Sequence, residues 1–176
     1  QKLDNSINSK NYSDLLNTSN SIKNILYKDS EIKNIAKHLV NKKSIFYIGR
    51  GLMYPIALEG ALKLKEITYK HCEGYAAGEL KHGPLALIED NIPVIALAPY
   101  DNNFLKILSN IQEIKARGGE IITLTDRLGY KKIKKFSQST FILPDTKSYS
   151  APIIYSIPVQ LIAYHLAVFL GTDVDQ

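Results

Sequence analysis

The sequence predicts an α/β fold, a parallel sheet doubly wound with helices on both faces. Three observations carry this. Short continuous apolar runs at residues 44–48 and 92–98 read as strands covered on both faces rather than on one. Segments with apolar residues three and four apart lie around them, which is helix spacing. The two kinds of segment alternate along the chain, and alternation of this kind builds parallel βαβ units.

In chain order, residues 1–20 are rich in Asn, Ser, Lys and Asp, with few apolar residues and no period. They read as a linker or loosely packed lead-in to one domain over 21–176. From 22 to 40 the residues Ile22, Ile25, Leu26, Ile32, Ile35, Ala36 and Leu39 recur at helix spacing. A break near Asp29-Ser30 suits the cap of a second helix. The strand at 44–48 runs into Gly49-Arg50-Gly51, and residues 54–69 follow with helix formers at helix spacing. Residues 71–84 read as a long loop, of a length that is uncommon in compact domains and often functional. The strand at 92–98 precedes an amphipathic helix over 103–117, stopped by Gly118-Gly119. Strands at 120–124 and 140–143 come next, then a last helix within 151–170 that starts near Pro158 or kinks there. Loops at the carboxyl ends of such strands hold the functional groups, here 49–53, 99–103 and 125–129.

The length of 176 residues suits one domain with a real core, and 45% hydrophobic with 22% charged residues is a globular composition. A single cysteine, Cys72, rules out an internal disulfide and thiolate metal clusters, and it suits a reducing compartment such as the cytoplasm. The apolar stretch 153–170 is interrupted by Ser156, Pro158, Gln160 and His165, so it reads as a buried helix and not a membrane span. A net charge of +5 suits an anionic partner. The lysines are scattered, and the run Lys131-Lys132-Ile133-Lys134-Lys135 reads as a solvated face. No nucleic-acid-binding pattern accompanies it.

The loops offer little cofactor chemistry. Gly49-Arg50-Gly51 lacks the third glycine of a dinucleotide fingerprint, because Tyr54 stands there; the segment reads as a tight turn. Residues 98–102 are poor in Ser, Thr and Gly. Pro99 brings no N–H and Asp101 repels phosphate, so this loop is a poor phosphate cradle. Metal-ligand spacings are absent, since His38, His71, His82 and His165 lie far apart in sequence. The informative helix is 54–69. Glu59, Lys63, Glu66 and Lys70 fall on one face, and Glu59–Lys63 and Glu66–Lys70 have the favourable order for i,i+4 ion pairs. Spacing alone favours a solvated charged stripe. The histidine-bearing segment that follows raises the case for a functional site.

The stretch GRGLMYPIALEGALKLKEITYKHCEGYAAGELKHGPLALI, with PVIALAP, RGGEI and APIIYSIPVQLIAYHLAVFLGTDVDQ further on, resembles the glucosamine-6-phosphate synthase family, the isomerising glutamine–fructose-6-phosphate transaminases. The resemblance covers roughly residues 22–176 and places the chain as the second of that family's two sugar-isomerase (SIS) domains. It implies a five-stranded parallel sheet between helices, and conversion of fructose 6-phosphate and glutamine-derived ammonia to glucosamine 6-phosphate without a metal or organic cofactor. By motif match it implies that Glu66 moves a proton between sugar carbons 1 and 2. Lys63 then stabilises charge on the open-chain intermediate, Glu59 supports Lys63, and His82 opens the sugar ring in the partner subunit's site. A glutamate base and an imidazole suit those steps chemically. It further implies a homodimer and a glutaminase domain in the same polypeptide. The sugar-phosphate cradle belongs to the family's first SIS domain, and a lysine that forms a Schiff base with the ketose belongs to a tail beyond Gln176; both lie outside this sequence. A chain holding only the isomerising residues is expected to be inactive alone. Another class of function is a free-standing SIS module that binds a sugar phosphate as a regulatory signal, and a third is a purely structural dimerisation domain. A regulatory module needs its own Ser/Thr-rich phosphate loop and has no use for Lys63, Glu66 and His82 together.

Overall fold

A computed structural model describes residues 8–146 and 149–175. Its elements run α1 (Asn8–Leu26), α2 (Asp29–Leu39), β1 (Ser44–Gly49), α3 (Met53–Thr68), β2 (His71–Ala76), β3 (Pro93–Leu97), α4 (Phe104–Ala116), β4 (Glu120–Thr125), α5 (Arg127–Ile133), β5 (Ser139–Ile142) and α6 (Ala151–Leu170). Two short 3-10 helices, Ala77–His82 and Pro84–Leu87, stand between β2 and β3. All strand pairings are parallel, in the order β2-β1-β3-β4-β5, so the doubly wound, five-stranded parallel sheet is the observed fold.

Alternation along each strand sends side chains into two cores. Ile45 and Tyr47 of β1, Ile95 and Leu97 of β3 and Ile122 and Leu124 of β4 meet α2, α3 and α6 on one face. Phe46, Ile48, Val94, Ala96 and Ile121 meet α4 and the 3-10 segment on the other. Both faces are therefore dry, which is why the strands read as unbroken apolar runs. Helix α6 is apolar and long enough to cross a membrane, yet half of it is buried within the domain. It packs between α2 and α3 as the central core helix. It begins at Ala151 and continues through Pro158, so Pro158 does not start it.

Three expectations are corrected. The unpatterned lead-in is helical from Asn8, while residues 1–7 lie outside the described residues. Its polar turns are held by tertiary contact: α1 packs on α6, and the Tyr149 hydroxyl donates to Asp14 at 2.7 Å. The supposed loop 71–84 begins as β2, an edge strand paired to β1 over its whole length. Its sequence, His-Cys-Glu-Gly-Tyr-Ala, hides the strand because Gly74 lies so close under α3 that a Cβ would stand 2.9 Å from the Ala57 carbonyl oxygen. The segment after β4 is a helix, not a loop. Asp126 caps α5 by accepting from Gly129 N at 2.9 Å, while Ile133 is buried and the lysines around it face solvent.

The bottom of the sheet is pinned by charge. Glu120, almost wholly buried at the start of β4, accepts from Lys42 Nζ at 2.6 Å and pairs with His38 of α2. Burial raises the Glu120 pKa, but the hydrogen bonds and charges of Lys42 and His38 outweigh it and hold the carboxyl below its ordinary value. A carboxylate depressed in the folded state stabilises above its unfolded pKa and loses that contribution as pH falls through the folded value. Stability is thus expected to drop below about pH 4.5. Glu120→Gln is expected to flatten that drop while lowering stability at neutral pH, read by denaturant melts across pH 3–7. An unchanged pH profile would mean that Glu120 does not carry the effect.

Candidate functional site

Helix α3 turns its inner residues Met53, Ala57, Gly60, Ala61, Leu64 and Thr68 to the sheet and α6. This leaves Glu59, Lys63 and Glu66 toward the outside. Lys63 Nζ donates to Glu66 Oε2 at 2.8 Å, with both side chains roughly half exposed at 40% and 48%. The hydrogen bond and charge of Glu66 raise the Lys63 pKa, and the charge of Glu59 adds to this. The pair is i,i+3, and neither expected i,i+4 pair forms. Glu59 has no hydrogen-bonded or ion-pair partner among the described residues. Lys70 stands beyond the helix, which ends at Tyr69 in a left-handed cap with φ 57°. Its ammonium donates at 2.8 Å to the carbonyls of both Val40 and Lys42, and burial lowers its pKa. Lys70 therefore fastens α3 to the end of α2 and is lost from the charged face.

His82 ends the first 3-10 helix with its side chain 75% exposed, 3.9 Å from Glu79 Oε2. Gly83 follows at φ +144°, a conformation that glycine alone adopts comfortably, and Pro84 opens the next turn. That pair of residues reverses the chain and leaves His82 projecting at the bend. Among the described residues, no hydrogen bond or ion pair joins His82 to Lys63 or Glu66. The structure brings Lys63 and Glu66 into direct contact, while the contact of His82 is with Glu79 of its own segment. Behind His82, a cavity of about 570 Å³ is lined by Lys81, Leu85, Glu113 and Arg117 among others.

The loop after β3 spends its amides internally. Tyr100 N donates to Asp126 Oδ2 at 2.6 Å, Asp101 N to Pro99 O at 2.9 Å, and Asn103 N to Asp101 Oδ1 at 2.7 Å. Those N–H groups cannot cradle a phosphate without breaking bonds already made. The partner of Tyr100 N lies 26 residues away on the cap of α5, a contact without any local sequence signal. The Cys72 thiol is buried and pushed up to about 12, which removes it as a nucleophile. Among the described residues, no three His, Cys, Asp or Glu side chains are grouped as metal ligands would be.

Comparison with known proteins places this geometry. The family model described as SIS domain matches residues 38–170. The chain belongs to the SIS domain family. This SIS domain is 58% identical over 152 residues to glutamine–fructose-6-phosphate aminotransferase [isomerizing] of Bartonella henselae, covering 86% of the chain and 25% of that protein. It is 53% identical over 152 residues to the protein of the same name from Mesorhizobium japonicum, with the same coverage. The solved C-terminal domain of glucosamine-fructose-6-phosphate aminotransferase from Francisella tularensis superposes with a TM-score of 0.91 at 43% identity, over 99% of this chain and 49% of that one. The chain thus spans a quarter of the length of these two full-length relatives and about half of the solved Francisella chain.

Proposed function

We propose that this SIS domain is the second sugar-isomerase lobe of a glutamine–fructose-6-phosphate aminotransferase, supplying the proton-transfer residues for conversion of fructose 6-phosphate to glucosamine 6-phosphate. The observation that carries the reading is the 2.8 Å Lys63–Glu66 pair, held on the outer flank of a helix whose inner face is locked into the core. Glu66 takes the proton from sugar carbon 1 or 2 and returns it to the neighbouring carbon, and Lys63 offsets the charge that develops on oxygen. Glu59 supports Lys63 through its charge. His82, exposed and unbonded to that pair, opens the sugar ring in the site of a partner subunit of a homodimer. Ammonia comes from a glutaminase domain of the same polypeptide, in the cytoplasm, and the grip on the phosphate comes from a first SIS domain outside this chain. The exposed setting of Lys63 and Glu66 supports a half-site that a second surface must close. The internally bonded loop after β3 speaks against a free-standing regulatory sensor.

Titration of the chain with fructose 6-phosphate, followed by NMR chemical shifts, tests this. No saturable binding tighter than about 1 mM is expected, equivalent to only about 4 kcal/mol. Micromolar binding would overturn the half-site reading and make the sensor the better account.

A further inference from the structure

Residues 81–87, between β2 and β3, hang from two apolar anchors. Leu80 before them and Ile88 after them are buried in the core on the face of the sheet that α4 covers. No residue of Pro84–Leu87 is fully buried, and Leu85 meets that core only in part. The returning end is fixed at Asn91, whose N–H donates to Gly118 O at 3.0 Å beside the end of α4. Core packing thus sets where the span starts and ends. The bend between them, which carries His82 and Gly83, stands at the cavity of about 570 Å³. Its place is left to contacts other than packing.

Among the described residues, two side-chain contacts tie this span to α4. Lys81 Nζ, on the residue before His82, pairs with Glu113 Oε1 at 3.0 Å. Beyond the bend, Arg117 Nη1 donates to Leu85 O at 3.2 Å. Glu113 and Arg117 stand at i and i+4, so one helical turn carries them to the same side. All four residues line the one cavity. Glu113 is committed to this position: its Oε2 is buried and has no hydrogen-bond partner among the described residues. Lys81 is then the charge that compensates for covering the carboxylate. Tethers on both sides fix the direction of the bend as well as its distance from α4. Gly83 makes them necessary, since a glycine at φ +144° is a joint that samples many conformations once released.

We infer that Glu113 and Arg117 are positioning residues for His82, clamping the bend through Lys81 and the Leu85 carbonyl so that the imidazole is presented in one place. Neither touches the substrate; both act through His82. The kinetic consequence rests on the reading of His82 as the ring-opening group.

Each tether is exposed at its Lys81 or Arg117 end and weak alone, so the test is the double variant Glu113→Gln/Arg117→Ala. NMR relaxation of the isotope-labelled chain is read at the His82 and Gly83 amides. Both are expected to be ordered in the parent and to gain fast motion in the variant, with the remaining amide spectrum unchanged. Arg117→Lys, which keeps a donor, and the exchange Lys81→Glu/Glu113→Lys are expected to keep the bend ordered. Should the double variant fail to fold, that exchange set against Glu113→Lys alone answers the same question. In the full-length protein, kcat/KM for isomerisation of fructose 6-phosphate is expected to fall about 10- to 100-fold in the double variant. For 5-deoxyfructose 6-phosphate, which lacks the hydroxyl that closes the ring, it is expected to stay within about twofold. A bend as ordered in the variant as in the parent, or equal losses on the two substrates with His82→Asn sparing the open-chain one, would overturn the inference. If His82→Asn slows both substrates alike, the ring-opening role falls instead, and loosening of the bend in the double variant still upholds the clamp.

Discussion

Glu66→Gln in the full-length protein that carries this domain is expected to lower sugar isomerisation by about 10²- to 10⁴-fold, the scale of losing a positioned general base. Glutamine hydrolysis is expected to remain within about twofold, because the proposed reading gives that chemistry to another domain and the substitution adds no bulk. The reasoning is local. Glu66 is exposed and, among the described residues, bonded to Lys63 alone, so glutamine in its place empties no cavity and strands no buried charge. An exposed ion pair of this kind contributes at most about 1 kcal/mol, too little to unfold the domain. Assays of the two half-reactions on one preparation separate the cases. A variant that loses both activities together, with a lowered melting temperature, would assign Glu66 a structural role and sink the proposed base.

A comparably large effect on stability is expected two residues earlier in the same helix. Leu64 is fully buried against the sheet, so Leu64→Ala is expected to cost about 3 kcal/mol in lost transfer energy and residual cavity. For a domain of this size that lowers the melting temperature by about 6–12 °C. Leu62, 44% exposed on the outer flank, is the control, and Leu62→Ala is expected to change stability by less than about 0.5 kcal/mol. Calorimetry of the two variants reads out which side of α3 faces the core. Equal losses would mean that the outward placement of Lys63 and Glu66 is wrong. The proposed site would then lose its geometry as well as its helix.

These two substitutions mark how far the residues could be read in order. Strands with both faces covered announce themselves as apolar runs, and β1, β3 and β4 were legible for that reason. The helices α2, α3, α4 and α6 were legible because each buries a stripe at helix spacing. Element β2 was not. An edge strand pressed under α3 needs glycine where a strand usually carries a branched side chain, and polar residues where it meets solvent. Helix α5 is short, and its one deeply buried apolar side chain, Ile133, sits within a lysine run that looks like surface alone. The polar turns of α1 carry no stripe of their own, and their helical state rests on α6 beside them.

The site divides along the same line. Residue identity and spacing put Glu59, Lys63 and Glu66 on one face of a helix, because helical geometry is local and repeats every 3.6 residues. The motif around them led to the SIS family. Which charges meet was decided in three dimensions. Lys63 selected Glu66 at i,i+3, while Lys70 left the face to bond carbonyls 28 and 30 residues away. Glu120 found His38 and Lys42 across 82 and 78 residues, and Asp126 locked the amide of Tyr100 from 26 residues away. Backbone periodicity is written in neighbouring residues, so the sequence by itself determined the fold class and the face of α3. Ion pairs, caps and edge strands depend on which distant segments the packed sheet brings within about 3 Å, and only the tertiary structure settles that.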